Sequence, residues 1–320
     1  MTARWDERNK DISCYINGEI VPRANAAVNL WDAGFLHGKQ IWSAPRLVNG
    51  KVFRLKDHLN KMQHGIKALG APIQPTDIDF IMAIKRALIA NDMQGATGVH
   101  IRVVWTPGTQ VTASMNMKAV CGWEGEPVDP TMIVMPEWRG QGTVYDAVKG
   151  ERAIVSTLRR PTGVFADQTI HSNNQIHSSL ACDEAMAAGV AAAIMLDAEG
   201  FLAETHASHI AIVKEGKFYT PFVRCCPPGV TRLVLLECCK ENGIDGTEDN
   251  ISVERLFDAD EVMIMGTMSG PIAITEIDGK SIANGEIGPV TTKLKLLYNE
   301  AMTKEENLFD IFNFNEDNEE

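Results

Sequence analysis

The sequence has no apolar run of the length that a membrane span needs. Its apolar stretches are interrupted by glycine or by charge before they reach about 18 residues, and 22% of its 320 residues are charged. Residues 1–8 contain no apolar segment of the kind that marks a secretory signal. We therefore expect no membrane partner and a cytoplasmic protein.

Positive charge is also in deficit. The chain has 30 lysine and arginine residues against 42 aspartate and glutamate residues, which gives a net charge of -12. A protein that binds nucleic acid needs a basic surface to neutralise phosphates, so we exclude nucleic acid as a main partner. Part of the acidic excess lies in residues 313–320, which we interpret as a solvated tail.

The seven cysteines lack the spaced C-x-x-C pattern of a zinc site. Four of them form the adjacent pairs Cys225-Cys226 and Cys238-Cys239. An odd count without a secretory signal favours a reducing compartment, so we interpret them as free thiols. A redox-sensitive role stays open for Cys225-Cys226, which precedes a predicted ligand loop.

Lysine is missing from the middle of the chain. None occurs between Lys149 and Lys214, although this stretch has the clearest local organisation. Within it, a polar segment opens at Thr169, a helix-like run covers residues 181–189, and an apolar strand covers residues 190–196. Four of the eight histidines of the chain lie in the same stretch. Any site built here has imidazoles and carboxylates rather than amines.

Hydrophobic periodicity predicts two domains of mixed helix and strand. For the first, which we expect to hold an antiparallel sheet, the predictions are a hairpin at 14–22, strands at 42–48, 52–55, 99–105 and 132–135, and helices at 56–69 and 76–90. For the second, they are strands at 153–158, 190–196, 209–213 and 261–265, and helices at 178–188, 230–242 and 290–302. We set the domains at residues 1–138 and 144–312, with a linker at 139–143.

Six short motifs follow one another along residues 14–302. They are Tyr15-Ile16-Asn17-Gly18, Gly34-Phe35-Leu36-His37-Gly38, Phe53-Arg54-Leu55-Lys56-Asp57-His58-Leu59, Pro228-Gly229-Val230-Thr231-Arg232, Ala259-Asp260-Glu261-Val262 and Gly266-Thr267. In this order the chain resembles the fold-type IV pyridoxal-phosphate enzymes, which include branched-chain and D-amino-acid aminotransferases and aminodeoxychorismate lyase. The resemblance implies a two-domain α+β and α/β fold, an active site between the domains, and a homodimer.

The resemblance also implies a cofactor site. For the cofactor phosphate it assigns Arg54, Gly229, Val230, Thr231, Thr267 and Met268. A helix N-terminus suits a phosphate because its N–H groups are unpaired and the dipole is positive there. Glu204 matches the carboxylate that pairs with the pyridine nitrogen and keeps the ring an electron sink. Arg102 matches an arginine that meets the carboxylate of the substrate.

The family lysine that holds the cofactor as a Schiff base has no counterpart. Its position matches His171, or Ile170 if a gap is placed one residue earlier. A family tyrosine five residues further on is Ile176 here. Histidine cannot form the Schiff base, but it can act as an acid or base near neutral pH. Lys39 is a candidate for a relocated lysine.

Histidines stand at several further positions of the expected cleft, and His58 and His64 fall outside this set. The set is His37, His100, His171, His177, His206 and His209. Neutral imidazoles are common ligands of divalent transition metals. The histidines therefore predict either a metal site or proton shuttles beside a bound pyridine ring, and their spacing does not choose between these.

Three functions remain open from the sequence. The leading hypothesis is an atypical class IV aminotransferase-family enzyme that binds pyridoxal or pyridoxamine phosphate non-covalently and acts on an amino acid or keto acid. In it, His171 replaces the lysine as acid or base, and ordinary transamination is slow or absent. The second hypothesis is a metal-dependent enzyme on the histidines, with Glu204 as a ligand or a neighbour of one. The third is a non-catalytic ligand-binding homologue.

Overall fold

The computed structural model describes residues 6–139 and 149–315. Within them the chain forms two compact units: the first contains residues 6–139, 170–174 and 305–315, and the second contains residues 149–169 and 175–304. Residues 170–174 thus belong to the first unit, although the predicted boundaries put them in the second domain. Most of the predicted linker (139–143) and of the acidic tail (313–320) lies outside the described residues.

Both units contain strands and helices. The strands are β1 (Ser13–Ile16), β2 (Glu19–Pro22), β3 (Ile41–Ser43), β4 (Arg46–Val48), β5 (Lys51–Phe53), β6 (Val99–Thr106), β7 (Thr131–Trp138), β8 (Glu151–Arg159), β9 (Ala192–Leu196), β10 (Leu202–Thr205), β11 (His209–Lys214), β12 (Lys217–Pro221), β13 (Gly246–Asp249), β14 (Glu261–Gly266), β15 (Gly270–Ile277), β16 (Lys280–Ser281) and β17 (Leu308–Phe309). The α-helices are α1 (Ala33–His37), α2 (Leu55–Leu69), α3 (Asp77–Ile89), α4 (Ile176–Ala187), α5 (Val230–Glu241), α6 (Val253–Phe257) and α7 (Pro289–Ala301).

The first unit is built on an antiparallel sheet. Its strand order is β17-β5-β4-β6-β7-β1-β2, with β3 also paired to β6. The β1–β2 hairpin turns at Asn17 and Gly18, which have φ of 47° and 93° as the Asn-Gly pair predicts. Helices α2 and α3 pack on the sheet and bury an apolar core, which includes Leu59, Met62, Phe80, Ile84 and Trp105.

The helix α2 follows its predicted periodicity. Leu55, Leu59, Met62 and Ile66 recur every three or four residues and are all buried. Gly70 ends the helix with a φ of 66°, a left-handed conformation that glycine adopts without steric cost. The helix also contacts β3, where His58 of α2 forms a hydrogen bond with Ser43.

The predicted strand at 42–48 is wrong as a single element. The structure has β3 and β4 there, separated at Ala44 and Pro45, because proline has no N–H to donate to a ladder. The strand predicted at 52–55 is also too long at its C-terminal end. It stops at Phe53, since Arg54 has a φ of 50° and is the N-cap of α2.

The second unit is built on a mixed sheet. Its strand order is β10-β9-β8-β15-β14-β11-β12-β13, with β16 paired to β15. Strand β8 runs parallel to both β9 and β15, and β11 and β14 are antiparallel, with His209 opposite Met265. Apolar side chains such as Ile194, Ile210, Ile264 and Ile272 form the core on this sheet.

Most predicted elements of the second unit are confirmed within one or two residues, including β9, β11, β14, α4, α5 and α7. Strands β12 and β15 are among those that the sequence pattern does not predict. Strand β15 begins with a glycine followed by a proline, which weakens the period-2 pattern. In the described part of the chain, no helix combines the length and the apolar character needed to cross a membrane.

Candidate functional site

Four element ends meet at one place in the second unit. Strand β10 ends with Glu204 and Thr205, β11 begins at His209, and β14 ends beside it because His209 pairs with Met265. The ring of His209 also packs against Gly229, the N-cap of α5. These contacts bring a carboxylate, an imidazole and a helix N-terminus together.

Glu204 is a buried carboxylate, 9% exposed, with a buried arginine as its partner. Arg160 donates from Nη2 to Glu204 Oε1 at 2.8 Å. The guanidinium is itself fixed by the backbone oxygen of Cys225 at 2.9 Å and by Ser178 Oγ at 2.8 Å. Because the guanidinium is held on several sides, it keeps the carboxylate in one orientation.

The start of α5 has the features of an anion site. Within the described residues, Gly229 provides no side-chain cap, so the first N–H groups of the helix are not satisfied by a capping side chain. An added Cβ at Gly229 would lie closer than 3.0 Å to the His209 ring, so only glycine fits there. Thr231 is buried, and its Oγ1 lies 3.4 Å from the hydroxyl of Tyr298.

The turn between β14 and β15 carries the other residues that the resemblance assigned to the phosphate in this unit. Thr267 and Met268 are half-buried there, directly after Gly266. Gly266 approaches Ser208 closely, since an added Cβ would lie 3.0 Å from the Ser208 hydroxyl oxygen. The turn is thereby held against the β10–β11 connection.

A thiol completes the surroundings of Glu204 and His209. Cys226 is 1% exposed, and its Sγ lies 3.9 Å from His209 Nδ1. The ligating atoms of Glu204, His209 and Cys226 all lie within 4.8 Å of one another. Burial raises the pKa of the Cys226 thiol well above its usual value, and the Glu204 charge adds to this effect.

In the first unit, His171 is fixed against Trp42. Their ring centroids lie 3.9 Å apart, and His171 Nδ1 is 2.8 Å from the backbone oxygen of Trp42. A carbonyl oxygen can only accept, so Nδ1 carries the hydrogen and Nε2 keeps its lone pair. The neighbouring Ile170 is half-buried and packs instead against the apolar core of this unit.

Arg102 also packs on the ring of Trp42. Its guanidinium carbon lies 3.9 Å from the Trp42 ring centroid, and Nη2 is 3.2 Å from Asn173 Oδ1. Desolvation by burial lowers the pKa of Arg102. The residue can bind a carboxylate and is oriented by an aromatic face.

Three imidazoles of the first unit are kept neutral by burial. Desolvation lowers the pKa of His58 and of His171 well below 6.5, and it lowers that of His100 to about 4. The charges of Lys61 and, for His171, of Arg102 act in the same direction. His58 Nδ1 bonds to Ser43 Oγ at 2.8 Å.

Two predicted residues of the segment after Asp32 have buried polar atoms without a hydrogen-bond partner among residues 6–139 and 149–315, namely His37 Nε2 and Lys39 Nζ. Desolvation lowers the pKa of Lys39. Arg54, predicted for the phosphate, forms an ion pair with Asp57 through Nε and lies 3.2 Å from Asn307 Oδ1 through Nη1. Its guanidinium is therefore oriented by two groups of the first unit.

The six histidines proposed as metal ligands divide equally between the units. His37, His100 and His171 lie in the first, and His177, His206 and His209 lie in the second. Burial lowers the pKa of His177 to about 4, and the ring of His206 accepts from the N–H of Ala193 through Nδ1 at 3.3 Å. In the described residues, the one group of three ligating side chains is that of Glu204, His209 and Cys226, which contains a single histidine of the six.

Sequence reasoning missed several residues. His58 was left outside the set, yet it is buried, and it lies three residues after Leu55 on the apolar stripe of α2, which is a readable signal. Arg160 and Cys226 were also missed as neighbours of Glu204. No local pattern points to them, because their contacts join separate elements.

Residues 44–277 match the family model described as amino-transferase class IV. The branched-chain-amino-acid aminotransferase-like protein 2 of Arabidopsis thaliana is 36% identical over 293 residues, covering 91% of this chain and 50% of that protein. This chain thus spans about half the length of that relative. A putative branched-chain-amino-acid aminotransferase of Methanocaldococcus jannaschii is 33% identical over 295 residues, covering 91% of this chain and 96% of that protein.

A solved structure agrees with the sequence relatives. The crystal structure of the branched-chain aminotransferase from the archaeon Thermoproteus uzoniensis with norvaline aligns with a TM-score of 0.81 at 25% identity, over 94% of this chain and 99% of that chain. The family match, the M. jannaschii relative and this structural agreement lead to one conclusion. The chain belongs to the class IV aminotransferase family and has the fold-type IV architecture.

Proposed function

We propose that this chain binds pyridoxal or pyridoxamine phosphate without a covalent bond and acts on an amino acid or its keto acid. The observation that carries the proposal is the buried Glu204–Arg160 pair beside the glycine-started helix α5. One unit thus contains both a fixed carboxylate and an uncapped helix N-terminus, which suit the two polar ends of a pyridine phosphate.

The phosphate would be held at the start of α5. The N–H groups of Val230 and Thr231 and the positive end of the helix dipole favour a dianion, and Gly229 lets it approach the backbone. The hydroxyls of Thr231 and Thr267 are the side-chain donors of this proposal, with Met268 in the same turn as Thr267. Arg54 is the charged donor that the resemblance to the family adds.

The ring nitrogen would be held by Glu204. When bound, the protonated pyridine ring supplies an electron sink for charge that develops on the substrate. Arg160 holds the Glu204 carboxylate in place through a 2.8 Å contact, so that it can accept the ring N–H.

His171 is the proposed acid or base at the position of the family lysine. Its Nε2 carries a lone pair because Nδ1–H donates to the Trp42 carbonyl, and the lowered pKa keeps it unprotonated at pH 7. It can therefore take a proton at Nε2 but cannot form a Schiff base. Ile170, the alternative lysine position, packs its side chain against the apolar core, which favours His171.

Two cations are proposed for the carboxylate of the substrate or for the reaction itself. Arg102 is held by the Trp42 face and can form a bidentate pair with a carboxylate. Lys39 has a buried Nζ that has no hydrogen-bond partner in the part of the chain that the structure describes, which favours an anionic group of a ligand as its partner. Relatives named as branched-chain aminotransferases make leucine, isoleucine and valine the first substrates to test, and a homodimer is the expected assembly.

The test is a titration of the purified protein with pyridoxal 5′-phosphate, followed by borohydride reduction and measurement of the intact mass. We expect saturable binding and no mass added to the chain after reduction. His171→Lys should acquire one reducible cofactor, whereas the neighbouring Ile170→Lys should not. Single-turnover conversion of the pyridoxal form by L-leucine should be faster in His171→Lys by about 10²-fold or more.

Two results would contradict this proposal. If neither pyridoxal nor pyridoxamine phosphate binds, the chain is not a cofactor-dependent enzyme, and a non-catalytic homologue becomes the better interpretation. If borohydride fixes the cofactor to the unmodified protein, peptide mapping identifies the lysine. Modification of Lys39 would then replace non-covalent binding by a relocated Schiff-base lysine.

A further inference from the structure

We infer that Glu204, His209 and Cys226 form a binding site for a single Zn²⁺ ion, with one coordination position left to water or a small ligand. These three residues are called the three-donor group below. They come from three separate parts of the second unit: the end of β10, the start of β11 and the segment before α5. The inference uses Glu204, which the proposed function also uses, but it does not depend on cofactor binding.

The distance between the nitrogen and the sulfur of the three-donor group is close to that of a metal site. All three ligating atoms lie within 4.8 Å of one another, and His209 Nδ1 is 3.9 Å from Cys226 Sγ. Tetrahedral bonds to zinc of the usual lengths set a nitrogen and a sulfur about 3.5 Å apart. A shift of a few tenths of an ångström at one side chain therefore brings these two ligands into position.

The His209 ring is held in a suitable orientation before any metal binds. Its Nε2 and Cδ2 side packs on Gly229, where an added Cβ would meet these two atoms. Its Nδ1 side faces Cys226. Because the Nε2 edge of the ring lies against Gly229, the Nδ1 edge is the one that faces the thiol.

Burial and ligand type select the ion. Glu204 is 9% exposed and Cys226 is 1% exposed, so a bound ion would be largely screened from water. Thiolate and imidazole with one carboxylate suit Zn²⁺ or Co²⁺ and are poor ligands for Mg²⁺ and Ca²⁺. Three protein ligands leave the fourth position of a zinc ion open, as in sites that bind water or substrate.

A bound ion would compete with Arg160 for the Glu204 carboxylate. It donates to Glu204 Oε1, so a metal bound by the same carboxylate must share it with a guanidinium. The pyridine nitrogen of the proposed cofactor would use that carboxylate as well. Zinc and pyridoxal phosphate should therefore exclude each other, and zinc should inhibit cofactor binding.

Co²⁺ is the probe that tests this site, because a Co²⁺–thiolate bond gives a charge-transfer absorption that reports the sulfur ligand. Untagged protein free of cofactor is titrated with Co²⁺ under anaerobic, reducing conditions. We expect this absorption to saturate at about one ion per chain and to be displaced by Zn²⁺. Cys226→Ser should abolish it, whereas the matched control Cys225→Ser should retain it.

A second variant covers the case in which Cys226→Ser does not fold. His209→Asn keeps a polar atom near the Nδ1 position, and it should weaken Zn²⁺ binding at least about 10-fold. Zn²⁺ should also raise the midpoint of thermal unfolding of the unmodified protein and not of this variant. The inference is overturned if no thiolate band appears, or if the band is unchanged in Cys226→Ser.

Cofactor competition separates this inference from the proposed function. A Co²⁺ band without any binding of pyridoxal phosphate would sustain the metal site and end the cofactor proposal. Cofactor binding without a band would do the reverse. If both bind, added Zn²⁺ should raise the apparent dissociation constant of pyridoxal phosphate, and simultaneous binding without competition contradicts a shared Glu204.

Discussion

Replacement of Gly229 by alanine tests the arrangement on which both proposals depend. The backbone at Gly229 has φ -92° and ψ 127°, which alanine adopts without strain. Its Cβ, however, would lie closer than 3.0 Å to two atoms of the His209 ring. The whole penalty specific to this site is therefore steric and involves one identified neighbour.

Overpacking of this kind costs about 1–3 kcal/mol of the free energy of unfolding. The loss of glycine at an N-cap adds a smaller cost that does not depend on His209. In the His209→Ala background the space is open, so only the smaller cost should remain. We therefore expect a coupling energy of about 1–2 kcal/mol between the two substitutions in a double-mutant cycle.

Urea unfolding followed by far-ultraviolet circular dichroism measures the four free energies. Gly163→Ala serves as the control, because an added Cβ there meets nothing within 4 Å and the backbone φ is not positive. Gly229→Ala should also weaken pyridoxal phosphate binding, whereas the control should not. Equal costs of Gly229→Ala with and without the His209 ring would refute the packing described here.

Two further predictions concern buried ionisable side chains. His100 has a pKa of about 4 in the folded chain against about 6.5 when unfolded, so the unfolded state binds more protons between these values and stability falls as pH drops through them. Between pH 7.5 and pH 5 the free energy of unfolding should fall by about 2 kcal/mol less in His100→Gln than in the unmodified protein. Urea unfolding at each pH measures this difference. If the free energy of unfolding falls equally in both proteins, His100 is not the group responsible. Arg160→Met should cost about 3–5 kcal/mol because it leaves Glu204 buried without its cation. Arg160→Met with Glu204→Leu should recover most of that loss, and no recovery would mean that the pair is not the source.

The fold followed from the amino-acid sequence, and the sequence also predicted where the motifs of a cofactor site would lie. Local conformation follows from residues that are close together in the chain. This holds for the apolar spacing of α2, for the turn at Asn17-Gly18 and for the start of α5 at Gly229. The same analysis predicts His171 at the position of the family lysine. It failed at Pro45, where a missing N–H divides one apolar run into two strands.

Which side chains contact one another could not be predicted from the sequence and became clear from the folded chain. His171 contacts Trp42, 129 residues away in sequence, and His209 contacts Cys226, 17 residues away. Such pairs depend on strand register and on packing between elements, and neither is encoded in a local pattern. For that reason the sequence predicted a site of six histidines, whereas the fold distributes them over two units and joins one of them to a carboxylate and a thiol.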